Sequence, residues 1–303
     1  MIIDNLKKMK KVLVTLTALV AVVLSAKAEV EFAYDAGAEI VSAYIWRGQY
    51  NGGMSFQPDV EIGFNAADEK IQFRIGAWAN IGGSDNMFKK GAETYTDPES
   101  GDEINPNTRF MPELDIVGSL SLYGLSLGFN HYYYFGGSNF FSWRPVAELD
   151  GSNNTSTTEV WAGYNFGGLH DASGVYFNWY TTVAGQDLVY DANTGDPKRA
   201  WSSYFEVGYD YTFENIGLTL GAVVGMTPWE SPIYGNSKFA VNNISLKINK
   251  EWEFDHVTLD LFAQGSLNPD GVNKDNAVLP KAAGDEKLYN QKLNGVIGLG
   301  FWF

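Results

Sequence analysis

Along residues 29–303 the chain alternates apolar and polar positions with a period of two, segment after segment, which is the pattern of a β-strand with two unlike faces. Ile71, Phe73, Ile75, Ala77 and Ala79 alternate with Gln72, Arg74, Gly76, Trp78 and Asn80. Leu114, Ile116, Leu120 and Leu122 alternate in the same way with Glu113, Asp115, Ser119 and Ser121. Twelve such segments are predicted, near 38–48, 54–66, 70–82, 112–122, 125–136, 157–167, 173–185, 200–213, 216–227, 239–250, 256–267 and 287–303.

A soluble sandwich would alternate too, so the connections carry the discrimination. They are short at 66–69, 123–124, 168–172, 214–215 and 251–255, and long at 83–111, 137–156, 185–199, 227–238 and 268–286; among the outer connections only the first, 49–53, is brief. An even strand number, tight turns at one rim and long polar loops at the other predict an all-β fold: one closed antiparallel transmembrane barrel of twelve strands, with periplasmic turns and extracellular loops. Aromatic placement agrees. Trp201 stands at one end of the eighth segment's apolar face, with Tyr209, Tyr211 and Phe213 at the other. At ~3.3 Å per residue and a tilt of ~40°, Trp201 to Tyr211 rises about 25 Å, the height of a barrel's apolar band, so these four are expected at the membrane interfaces.

The chain stops on Gly298-Leu299-Gly300-Phe301-Trp302-Phe303. So apolar an edge would be an aggregation hazard in a soluble protein. It resembles the terminal strand of outer-membrane proteins, in which Phe301 and Phe303 would serve as the signal read by the barrel-assembly machinery. At the other end, Lys7, Lys8, Lys10 and Lys11 precede an apolar run from Val12 to Leu24, and Ala26-Lys27-Ala28 follows it. That run is too short to span a bilayer as a helix and matches an export signal, so residues 1–28 are expected to be a cleaved signal peptide and 29–303 the barrel. The expected location is a bacterial outer membrane, with its lipids and lipopolysaccharide as neighbours and other outer-membrane subunits as conceivable partners.

Composition narrows the chemistry. The 303 residues carry a net charge of -15, with 15% aromatic content and no Cys. A disulfide-stapled fold is excluded, and so is electrostatic affinity for nucleic acid. Strand parity turns Asp59, Glu61, Glu113, Asp115, Glu159, Glu206, Asp210 and Asp260 into the lumen against Arg47, Arg74, Lys247 and Lys292, an acidic excess. Trp78, Tyr132, Tyr134, Trp161, Tyr176, Tyr180 and Tyr204 share that interior. A twelve-stranded barrel is wider than one filled by side chains and narrower than a porin, so passage of small polar solutes, with cations or sugar- and nucleoside-like molecules favoured, is the expected function. The alternative is a non-conducting accessory or scaffold barrel, its aromatic lumen packed shut.

No enzymatic chemistry and no cofactor or metal is expected. Gly124-Leu125-Ser126-Leu127-Gly128 matches the letters of a nucleophile elbow, yet strands flank it on both sides where the elbow requires a following helix. His131 has lipid-facing parity without a serine partner, and His170 and His256 fall in turns. The acidic stretch 97–107 lacks calcium-loop spacing.

Val41-Ser42-Ala43-Tyr44-Ile45-Trp46-Arg47-Gly48, followed by Gln57-Pro58, resembles the N-terminal signature of the TorF-type porin family, over this one hairpin. The resemblance implies an outer-membrane barrel with a channel role. In this motif Gly48 suits a tight turn and Arg47 can pair with a lumen carboxylate.

Overall fold

The computed structural model describes residues 29–82, 95–96, 103–104, 112–135, 140–141, 143, 156–168, 174–191, 194–270 and 292–303. The expected signal peptide, the acidic stretch between 97 and 107 apart from Glu103 and Ile104, and His170 lie outside the described residues.

Twelve strands form the wall: β1 (Val30–Val41), β2 (Ser55–Ala66), β3 (Ile71–Gly82), β4 (Glu113–Leu122), β5 (Leu125–Tyr134), β6 (Ser156–Asn165), β7 (Val175–Gly185), β8 (Ser203–Phe213), β9 (Leu218–Thr227), β10 (Ala240–Phe254), β11 (Val257–Leu267) and β12 (Leu293–Trp302). Each pairs antiparallel with its sequence neighbours, and β12 returns to β1, so the sheet is a closed barrel. Closure satisfies backbone groups that an open sheet would leave at its edges. The seam is unequal. β1 pairs with β2 along its whole length, from Val30 opposite Ala66 to Val41 opposite Ser55, but meets β12 only from Gly37 to Val41.

Side-chain parity inverts the distribution of a soluble barrel. Phe56, Val60, Ile62 and Phe64 of β2 are exposed on the outside, as are Ile244, Leu246 and Ile248 of β10, while Gln57, Asn243 and Ser245 on the opposite parity are buried. An apolar exterior around a polar interior is what a barrel surrounded by hydrocarbon requires.

The rim at which β1 starts and β12 ends has the tight turns. Tyr123 and Gly124, between β4 and β5, have φ of 51° and 89°. Two consecutive positive φ values mark the hairpin turn whose twist matches the flanking strands. This end is called the turn rim below, and the opposite end the loop rim.

Three sequence expectations are corrected. The first strand spans Val30–Val41 rather than 38–48. Tyr44–Trp46 and Gln49–Gly52 instead pair with each other as a separate hairpin, so the first loop-rim connection is a folded element and not a brief turn. Alternation continues through Tyr44 and Trp46, which is why the pattern alone extends the strand too far. Second, β10 runs on to Phe254, leaving only Asp255 and His256 as the turn before β11. Third, β12 begins at Leu293, so Lys292 sits exposed at the loop rim, its carbonyl accepting the Asn268 N–H at 2.7 Å, rather than in the lumen wall.

Candidate functional site: the lumen and its constriction

Burial grades along the inward-facing side chains. Toward the turn rim, Asp35, Asp210 and Glu251 are exposed; at mid-barrel Asp59, Glu61, Arg74, Glu206 and Lys247 are half-buried; toward the loop rim Glu113, Asp115, Glu159, Tyr132 and Tyr204 are buried. Asp260 departs from this gradient, being buried in the turn-rim half of β11. The lumen is a funnel, open to water at the turn rim and filled toward the loop rim.

Among the described residues, two connections fill it. The hairpin Tyr44–Trp46/Gln49–Gly52 brings Arg47 to its tip, where Arg47 and Gly48 adopt φ of 49° and 81°. A Cβ on Gly48 would lie 2.4 Å from the Asn242 carbonyl oxygen, so both the backbone conformation and the close approach require glycine. The second connection, from β9 to β10, contains the short helical turn Pro232–Tyr234, closed by Gly235 in the left-handed region and by reciprocal backbone hydrogen bonds between Ser231 and Asn236. Asn236 Nδ2 donates to Thr227 Oγ1 at 2.6 Å, and the Thr227 hydroxyl donates to Asn242 at 2.9 Å, which anchors the turn to both flanking strands.

At the meeting point the Arg47 guanidinium donates from Nη2 to Glu159 Oε1 at 2.6 Å and from Nη1 to Glu159 Oε2 at 2.9 Å. Nη1 also donates to the Tyr234 hydroxyl at 2.6 Å. The Tyr132 hydroxyl and Asn130 Nδ2 donate to Glu159 Oε1 at 2.5 and 2.8 Å. Aromatic faces close around the charge: the guanidinium carbon is 3.7 Å from the Tyr180 ring centre, 4.5 Å from Trp46 and 5.0 Å from Tyr204. Tyr234 stacks between Trp46 and Tyr204, with centroids 5.4 and 5.3 Å away and interplanar angles of 13° and 11°. A register shift in the β6–β7 pairing falls between Thr158 and Glu159, and such a bulge re-aims the side chain beside it. The fork geometry of guanidinium on carboxylate, reinforced by ring faces, makes this a rigid partition across the lumen.

The remaining inward charges pair sparsely. Arg74 Nε meets Glu61 Oε1 at 3.3 Å, and Lys247 Nζ lies 4.3 Å from the Phe262 ring centre. Glu113 and Asp115 belong to no ion pair among the described residues. Trp78 contacts Tyr44 with centroids 5.4 Å apart, Trp161 contacts Tyr180 at 6.2 Å, and the hydroxyl of Tyr134 approaches Glu113. Sequence reasoning missed three inward acids, Asp35, Glu39 and Glu251. Asp35 lies opposite Glu61 in the β1–β2 register and Glu251 opposite Asp260 in the β10–β11 register. Reading β1 eight residues late hid Asp35 and ending β10 early hid Glu251, whereas Glu39 lies inside the predicted segment, on the parity of Arg47, and was passed over. Tyr44 and Tyr234 were also missed, because both stand outside the wall strands.

Outside the lumen, Trp201 precedes β8 at the loop rim with φ of 57°, and its carbonyl accepts the Trp229 indole N–H at 3.0 Å; it is exposed, as are Tyr209, Tyr211 and Phe213 toward the turn rim. Phe301 pairs in register with Ala38 and Leu259, while Phe303 is exposed beyond β12 and donates its backbone N–H to Ala36. His131 faces outward but is covered by Phe140 and Phe141, with ring centroids 4.7 and 5.6 Å away. Its Nε2 donates to the Phe140 carbonyl at 2.8 Å, which leaves Nδ1 of the neutral ring to accept from the Thr158 hydroxyl at 2.8 Å. Ser126 lies in β5 with its Oγ 2.7 Å from that of Ser121, a cross-strand contact in a hairpin. Beyond the outer connection of β7, Asp187 is buried, which pushes its carboxyl above the usual aspartate range, and it accepts the Ser202 N–H.

No protein-family model matches the sequence, and no curated protein matches it. Among solved structures, the chain is similar to an outer-membrane channel from Pseudomonas putida F1, at 12% identity over 91% of this chain and 94% of that one, with a TM-score of 0.42. It is similar also to OmpF of Salmonella typhi in complex with daunomycin, at 9% identity, 91% and 98% coverage and a TM-score of 0.32. A third is a TodX variant described as a monoaromatic hydrocarbon channel, at 10% identity, 90% and 88% coverage and a TM-score of 0.29. These are distant likenesses, and the function has to be argued from the barrel's own geometry.

Proposed function

We propose that this chain is an outer-membrane channel for passive passage of small polar solutes, with a preference for cations, entered freely from the turn rim and narrowed at the loop rim by the Arg47 hairpin. The observation that carries this reading is the charge of the water-reachable lumen, where Asp35, Asp59, Glu61, Glu206, Asp210 and Glu251 face Arg74 and Lys247, and Arg74 is already paired with Glu61. Charged side chains lining a pore act as its selectivity element. The resemblance of Val41-Ser42-Ala43-Tyr44-Ile45-Trp46-Arg47-Gly48 to TorF-type porins supports the same role, since that segment forms the narrowing hairpin. Outer-membrane lipid around the apolar wall and insertion by the assembly machinery through the Phe301–Phe303 end belong to this reading.

Reconstituted in planar bilayers under a salt gradient, the protein is expected to give a reversal potential of the sign for cation over anion passage. Asp59→Asn together with Asp210→Asn should reduce it. An unchanged potential in that variant would refute the acidic lumen as the selectivity element. A second reading, a non-conducting accessory or scaffold barrel, draws on the burial of Arg47, Tyr204 and Tyr234 in the constriction. It prevails if folded, inserted protein carries no current.

A further inference from the structure

Next to the Arg47 partition, the lumen holds two acids for which the described residues supply no counter-charge. Glu113 and Asp115 are two residues apart on the inward face of β4, only 1% and 6% exposed. A third acid is close by: Tyr132, opposite Asp115 in the strand register, donates its hydroxyl to Glu159. None of the ion pairs among the described residues includes Glu113 or Asp115. Neither oxygen of Glu113, nor Oδ1 of Asp115, accepts a hydrogen bond of good geometry, although the hydroxyls of Tyr44 and Tyr134 approach Glu113. Buried carboxylates in this arrangement demand either a shared proton or a cation between them.

The chain shows how this lumen answers such a demand a few residues away. At Glu159 it brings in a guanidinium and covers it with aromatic faces. Around Glu113 and Asp115 the same components are present, with no cation among the described residues. Tyr44 and Trp78 are in ring contact, Trp78 and Tyr132 both stand opposite Asp115 in the strand register, and Tyr134 stands opposite Glu113. Aromatic faces and carboxylates together select an organic cation, because ring quadrupoles attract a weakly hydrated charge while the acids accept its N–H groups.

We propose that the Glu113–Asp115 pair, walled by Tyr44, Trp78, Tyr132 and Tyr134, is a binding site in the lumen for a small organic cation bearing a guanidinium or primary ammonium group. It deepens the channel reading above by naming the solute class that pauses at the constriction, and rests on it only for the route of entry.

Isothermal titration of the full-length barrel in detergent with methylguanidinium, and separately with butylammonium, tests the site without requiring conduction. Saturable binding of at least one of the two is expected, with glucose giving none. Glu113→Gln with Asp115→Asn should weaken it at least tenfold, and Asp68→Asn, in the exposed turn between β2 and β3, should leave it within twofold. Should the double variant misfold, Asp115→Asn alone, checked by heat-modifiable migration, is expected to weaken binding at least threefold. Absence of saturable binding by the wild-type protein, or equal binding by a folded Glu113/Asp115 variant, overturns the proposal and leaves a shared proton as the resolution. Binding without any bilayer current would keep the site and remove the channel.

Discussion

Arg47 is held by one bidentate carboxylate, one phenol and three ring faces: Glu159, Tyr180 and Tyr204 come from β6, β7 and β8 of the wall, Tyr234 from the β9–β10 connection and Trp46 from Arg47's own hairpin. Its side chain and that of Glu159 are 10% and 5% exposed. Removing one partner of so buried a pair strands the other, at a cost of about 3–5 kcal/mol. Arg47→Ala is therefore expected to lower the unfolding temperature of the barrel in detergent, while Arg47→Met combined with Glu159→Met recovers most of the loss. A double variant no more stable than Arg47→Ala would mean that the charge pair is not what matters here. Glu159 as an inward acid and Arg47 as a partner for a lumen carboxylate were both legible in the sequence, from parity and from the motif. Their pairing was not, because it joins residues 112 positions apart through a hairpin tip that no periodicity marks.

The hairpin Tyr44–Trp46/Gln49–Gly52 contributes little to the wall. β1 and β2 pair with each other from Val30 through Val41 without it. Replacing residues 44–52 with a short Gly/Ser linker should thus leave heat-modifiable migration intact and raise single-channel conductance several-fold. An unaltered conductance would place the narrowest point elsewhere. Element by element, strand alternation predicts ten of the twelve wall strands to within four residues of their ends, because one apolar and one polar environment leave a two-residue imprint, and it starts β12 six residues early. It fails at β1, where Ala36-Gly37-Ala38 weakens the contrast and Tyr44 and Trp46 prolong it. Gly37 is small for a reason that only the closed barrel reveals: a Cβ there would lie 2.3 Å from the Trp302 ring.

At the scale of the whole molecule, the outward faces of the wall strands are largely apolar and the lumen is a graded polar one. Leu246, 69% exposed near the middle of β10, faces outward, and an arginine there would have to be carried into hydrocarbon. Leu246→Arg should destabilise the folded barrel in lipid by about 2–4 kcal/mol, measured by denaturant titration in vesicles, with a much smaller loss in detergent. Equal loss in both would contradict a mid-membrane position. The seam between β1 and β12 bears on how such a wall can be made. Only the stretch Gly37–Val41 of the first strand has a partner in the last, and the run from Val30 to Ala36 projects past it. Joining the two ends of the barrel closes the largest loop among the strand pairings for the smallest return in paired backbone, so by loop-closure entropy this seam is the costliest of the twelve to zipper. In the finished barrel it is the place to breathe: amide exchange with deuterium should be fastest, among the wall strands, over Val30–Ala36, and the turn-rim half of this seam is where the wall would first part sideways.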